Sequence, residues 1–120
     1  MVETLKKRRD FSFVYRRGKP FYSANMVLVS LHRKGGPVKT GFSVSKKIGC
    51  AVKRNQVRRR MKEAMRQLER ENRAATLPCY MIFIAKPPIA DAPYAAIVRD
   101  MERLMKKMAD SKTSSAGDRQ

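Results

Sequence analysis

Between Lys46 and Arg73 the chain carries eleven of its 28 Lys and Arg residues, and only three acids, Glu63, Glu69 and Glu71, interrupt them. The chemistry on offer is phosphate binding. Planar guanidinium forks bridge phosphate oxygens and stack on bases, and ammonium groups add point charge. Asn55, set between Arg54 and Gln56, admits two readings: a residue at the start of a helix, or a hydrogen-bond donor to a phosphate or a 2′-hydroxyl.

The residues needed for hydrolysis do not assemble in the same way. A protein nuclease uses clustered carboxylates to hold metal ions, or a histidine base. The ten acids (Glu3, Asp10, Glu63, Glu69, Glu71, Asp91, Asp100, Glu102, Asp110 and Asp118) form no pair flanked by a histidine or a further acid at helix or strand spacing. His32 is the single histidine, which argues against a His-based metal site. Glu63, Glu69 and Glu71 read as surface ion-pair partners of their basic neighbours. Gly35-Gly36 lacks the Lys-Ser/Thr of a phosphate loop. Cys50 and Cys79 stand in no metal-ligand spacing and read as two reduced thiols. No catalytic residue and no metal or other cofactor is therefore expected in the protein itself.

A formal net charge of +18 on 120 residues favours a polyanionic partner: RNA, DNA or an anionic membrane. No apolar run is long enough to span a bilayer, and the start, MVETLKKRRDF, lacks the apolar region of a signal peptide, so a cytoplasmic protein is expected. A membrane-surface role fits poorly. The apolar side of the basic segment is Val, Ala, Met and Leu, with no Trp.

The elements that must position these cations follow from periodicity. Val57, Met61, Ala64, Met65 and Leu68 form one stripe of a helix, with Arg58, Arg59, Lys62, Arg66 and Arg73 on the other side. That helix ends before Pro78. Upstream, Phe11, Val14 and Tyr15 share a face of a short helix that Asp10 could cap and that Gly18 and Pro20 stop. Residues 26–31 (MVLVSL) and 38–45 read as strands on either side of a Gly35-Gly36-Pro37 turn. The second strand alternates: Val38, Thr40, Phe42 and Val44 face one way, Lys39, Gly41, Ser43 and Ser45 the other. This small polar face is either solvated or the floor of a shallow cleft. Residues 79–85 (CYMIFIA) read as a buried central strand. Pro93 opens a last helix with Ile97, Met101, Leu104, Met105 and Met108 inward.

The expected architecture is an α/β (α+β) two-layer sandwich, a sheet of about four strands with three helices in the order α-β-β-β-α-β-α. Residues 1–109 form a single domain with a basic lead-in over 1–9, and 110–120, which has little apolar content, is expected to be a disordered tail. Phe11 and Tyr15 beside Arg8, Arg9, Arg16 and Arg17 fit either core packing or a platform for single-stranded bases.

The run SVSKKIGCAVKRNQVRRRMKEAM closely resembles the central motif of the bacterial ribonuclease P protein component. Its core is Lys46-Lys47, Gly49, Ala51-Val52, Arg54-Asn55 and Arg58-Arg59. The first helix, with Asp10-Phe11, Val14-Tyr15 and Gly18, and the strand ending Ala85-Lys86-Pro87 resemble the family as well, so the likeness extends to about residue 108.

The resemblance implies a left-handed strand-helix-strand crossover through the basic helix, against the usual right-handed rule. It implies two RNA partners and no membrane or small-molecule substrate. One partner is the ribonuclease P RNA, which with its Mg²⁺ ions performs the cleavage. The other is precursor tRNA, whose 5′ leader is removed to give the mature 5′ end. It assigns Lys46, Lys47, Gly49, Lys53, Arg54, Asn55, Arg58, Arg59, Lys62 and Arg66 to the catalytic RNA. It assigns Phe11, Tyr15, Arg16, Ser43 and Ser45 to a leader cleft between the first helix and the sheet. The sequence departs from the family at Cys50, where basic or polar residues are common, and at Val29, where some members carry an aromatic. The alternative function is a ribosomal-type structural RNA-binding protein with no part in cleavage.

Overall fold

The computed structural model describes residues 3–4, 8–32, 35, 38–74 and 78–118. Ten residues, Arg8–Arg17, form α1, which packs on the strands β3 (Met26–His32) and β5 (Cys79–Ala85). Between α1 and β3 runs β2 (Lys19–Tyr22), and β4 (Lys39–Ser43) follows β3. A 3-10 turn, Lys46–Ile48, leads into the long helix α2 (Ala51–Arg70), and after β5 a second one, Pro87–Asp91, leads to α3 (Tyr94–Asp118). A two-residue strand, β1 (Glu3–Thr4), precedes them all.

The sheet runs β1-β4-β5-β3-β2, so the expected four strands are joined by the very short β1. β4 and β5 are parallel with α2 between them, and β5–β3 and β3–β2 are antiparallel. The apolar run of β5 occupies the centre of the sheet, where a strand is covered on both sides and need not alternate with polar residues. Its odd and even positions still divide. Met81, Phe83 and Ala85 join Met26 and Leu28 of β3 in the main core under α2 and α3, whereas Ile82 and Val29 form a smaller cluster with Val14 of α1. The sandwich thus has α2 and α3 on one face and α1 on part of the other.

The stripe read from the sequence is the buried side of α2. Val57, Met61, Ala64, Met65 and Leu68 are all buried, each larger side chain contributing about 1.5–3 kcal/mol. In α3, Ile97, Met101, Leu104, Met105 and Met108 are buried as expected.

Several expectations are corrected. α1 starts at Arg8, so Asp10 lies in its first turn and is not its cap. Lys19–Tyr22 is an edge strand and not only a stop, because an edge tolerates the missing N–H of Pro20. Ser45 lies beyond the end of β4, since the chain turns there into the 3-10 segment. α2 ends at Arg70, eight residues before Pro78. Asn72 takes a left-handed conformation (φ 57°), the Arg73 N–H bonds the Leu68 carbonyl, and the Asn72 N–H bonds that of Glu69. Arg73 is therefore past the helix and off its cationic side. The backbone of α3 is helical as far as Asp118. Gly36 and Pro37 of the expected turn lie outside the described residues.

Candidate nucleic-acid interface

α2 places its cations by helical arithmetic. With the apolar stripe against the sheet, Asn55, Arg58, Arg59, Lys62 and Arg66 project outward and line a shallow open groove of about 240 Å³. Asn55, Arg59, Lys62 and Arg66 are exposed and Arg58 is half-buried. The Asn55 carboxamide oxygen accepts a hydrogen bond from Arg58 Nη1 at 3.0 Å. That bond ties the guanidinium to Asn55 and occupies the carboxamide oxygen. Glu63 lies beside Arg66 at 3.4 Å, as expected of a surface acid, and leaves the groove strongly positive.

The turn before α2 has its own constraints. Ser45 Oγ accepts from the Lys47 N–H at 3.3 Å, so this serine caps the turn and does not reach the sheet face. Lys46 and Lys47 are exposed at the mouth of α2. Gly49 has φ 149°, a backbone state L side chains rarely adopt, and a Cβ there would press on Lys53 at 3.3 Å. The stem of Lys53 thus covers Gly49. Arg54 is half-buried, and its Nε has no hydrogen-bond partner among the described residues. Cys50 stands at the N-cap, where the backbone N–H groups of Lys53 and Val52 hold its thiol below the ordinary value. Cys50 and Cys79 are both free thiols, the first exposed and the second in the core.

The other face of the sheet presents aromatic groups. Phe11 and Tyr15 lie together on α1, ring centroids 6.2 Å apart. Phe11 is half-buried beside Val14, whereas Tyr15 is 44% exposed. Register places Ser43, Ile84, Val27 and Tyr22 in one row across the strands, and Lys39, Tyr80 and Leu31 in another. Ser43 therefore shares this face with the α1 aromatics, which Ser45 does not. Arg16 is exposed about 100° round α1 from Tyr15 and about 200° from the buried Val14, on the side of the helix away from the sheet. Val29, buried under α1 against Val14 and Ile82, has no open surface for stacking.

Two residues of this face escaped the sequence reading. Tyr80 was concealed in an uninterrupted apolar run, and 62%-exposed Tyr22 lay in a segment read only as a stop. Register with Val27 and Leu31 is what brings them to the face. Among the described residues, no three His, Cys, Asp or Glu side chains converge, and no helix is long and apolar enough to cross a membrane.

A single small sheet that carries a positive helix on one side and exposed aromatics on the other defines a nucleic-acid-binding protein. The family model for ribonuclease P matches residues 2–109. The chain is 38% identical over 104 residues to the ribonuclease P protein component of Gluconacetobacter diazotrophicus, covering 86% of this chain and 88% of that one. It is 39% identical over 104 residues to that of Clostridioides difficile, covering 86% and 89%. The RNase P protein of Staphylococcus aureus superposes with a TM-score of 0.75 at 28% identity, covering 88% of this chain and 94% of that chain. The protein of Thermotoga maritima, at 20% identity and a TM-score of 0.76, shares the fold. The chain belongs to the ribonuclease P protein family, the protein component of an endoribonuclease that processes tRNA 5′ ends together with an RNA subunit.

Proposed function

We propose that the outer side of α2 holds the catalytic RNA and that the α1 face of the sheet takes the single-stranded 5′ leader of precursor tRNA. The observation that carries this is the separation of two unlike surfaces. The groove of Asn55, Arg58, Arg59, Lys62 and Arg66 offers charge and directed donors without aromatic groups, which suits a structured phosphate backbone. The α1 face offers Tyr15, Phe11, Tyr22 and Tyr80 beside Ser43 and Lys39, which suits unpaired bases. Opposite faces of one sheet let a single small protein join the two RNAs.

Cleavage belongs to the RNA and its Mg²⁺ ions on this reading. The protein lowers the divalent-ion requirement, because a +18 chain neutralises phosphate that Mg²⁺ would otherwise screen. A cytoplasmic site of action goes with it. The test is reconstitution of the full chain with a bacterial ribonuclease P RNA, following precursor tRNA cleavage against Mg²⁺ concentration. Cleavage at lower Mg²⁺ with protein than without is expected. Identical Mg²⁺ curves, or cleavage by RNA-free protein, would overturn it.

A further inference from the structure

The surfaces above leave the outer side of α3 unassigned. Arg99, Arg103, Lys106 and Lys107 are all exposed there. At 100° per residue they share an arc of about 100°, and at 1.5 Å per residue they extend roughly 12 Å along the helix. An ordinary solvated helix face mixes signs, and α3 does contain acids, but two of them are engaged elsewhere. Asp100 is buried and accepts from Asn25 Nδ2 at 2.8 Å and Ser23 Oγ at 3.3 Å. Glu102 is held by Arg73, with Lys106 near enough to add to its acidity. Asp110 lies on the same side, one turn beyond Lys106. Arg99, Arg103 and Lys106 make no ion pair among the described residues, and Lys107 Nζ reaches only the Tyr22 carbonyl oxygen at 3.3 Å.

We infer that this stripe is a second RNA-docking surface, gripping a backbone segment of the ribonuclease P RNA other than the one held by α2. The inference rests on the ribonuclease P reading of α2. Its geometry comes from the sheet: α2 packs over β4, whereas α3 packs over β3 and β2, towards the opposite edge. The two stripes therefore address different directions. The partner is RNA and not an acidic protein, because the stripe has no exposed aromatic or large aliphatic side chain to anchor a protein interface. Phosphate needs only the charges.

The experiment compares the full chain with two variants, Arg99→Gln/Arg103→Gln/Lys106→Gln/Lys107→Gln on α3 and Arg58→Gln/Arg59→Gln on α2. Affinity for ribonuclease P RNA is measured across salt, with backbone footprinting of each complex. The α3 variant should lower the log–log salt slope by about 3–4 and lose protections at RNA positions that the α2 variant keeps. Its melting temperature should hold, since the four side chains are exposed. Should the fourfold variant unfold, Arg99→Gln and Arg103→Gln singly should each lower the slope by roughly one. A wild-type slope and footprint for the α3 variants, with the α2 variant weakened, would overturn the inference and leave the function standing. Weakening confined to precursor tRNA would overturn it too. Undiminished binding by both variants would instead overturn the reading of α2.

Discussion

The guanidinium of Arg73 meets the carboxylate of Glu102 in two parallel hydrogen bonds, Nε to Oε2 at 2.9 Å and Nη2 to Oε1 at 2.6 Å. Arg73 also pairs with Glu71, at the end of α2. This fork joins the end of α2 to the middle of α3, and the left-handed Asn72 is what turns the chain so that Arg73 reaches it. Fork geometry fixes direction as well as distance, so it helps set the angle between the two helices that carry cationic stripes. The hydrogen bonds from Arg73 hold the Glu102 carboxyl below its ordinary value, and those to Glu102 and Glu71 make Arg73 harder to deprotonate.

The pH dependence follows from the sign of the Glu102 shift. A lowered folded value means stability that is present above the ordinary glutamate value of 4.5 and lost as pH falls through the folded one. Glu102→Gln should therefore melt below wild type at neutral pH, by a small margin because the pair is partly exposed. The margin should close on acidification below 4.5. Thermal melts at neutral pH and at about pH 3 check this; a margin that does not change with pH would contradict it.

Gly18→Ala should unseat α1. A Cβ at Gly18 would lie 2.6 Å from the Val14 carbonyl oxygen, 2.7 Å from Val29 Cγ1 and 2.9 Å from the Ser30 carbonyl oxygen. Two of the three are backbone atoms that cannot turn aside. The expected loss is about 1–3 kcal/mol in urea unfolding, accompanied by weaker precursor tRNA binding if α1 walls the leader cleft.

Tyr15 and Phe11 should separate. Tyr15 is 44% exposed and its ring lies beside that of the half-buried Phe11, so Tyr15→Ala should shift the melt little and weaken precursor tRNA binding by about 1–3 kcal/mol, with mature tRNA unaffected. Phe11 packs partly against Val14, so Phe11→Ala should also cost stability, though less than the roughly 3–5 kcal/mol of a fully buried Phe. Equal losses for precursor and mature tRNA with Tyr15→Ala would remove it from the leader site.

Arg58→Ala and Arg59→Ala should each reduce the salt slope of binding to the catalytic RNA by about one while the melt holds. Arg58→Ala also frees the Asn55 carboxamide, so it should exceed Arg59→Ala in effect. A falling melting temperature with unchanged RNA affinity would mark both residues as structural.

The sequence by itself determined the helices and the character of their sides. Val57, Met61, Ala64, Met65 and Leu68 recur at helical spacing, and burying that stripe obliges Arg58, Arg59, Lys62 and Arg66 to face outward. This is local geometry, readable without knowing what the stripe packs on. The ordered motif around Arg54-Asn55 also carried the family, which the comparisons bear out. Tertiary structure decided what depends on register and on chain reversal. The run Cys79–Ala85 does not say which residue faces which layer; only pairing with Leu31 and Val27 sets Tyr80 and Ile84 on the α1 face. Ser45 has strand-like alternation, yet the chain leaves the sheet at Ser43 and turns it into a cap. Arg73 continues the helical count, yet Asn72 ends the helix and hands the guanidinium to Glu102. In each case the deciding contact joins residues distant in the chain or rests on one backbone conformation, and spacing along the sequence encodes neither.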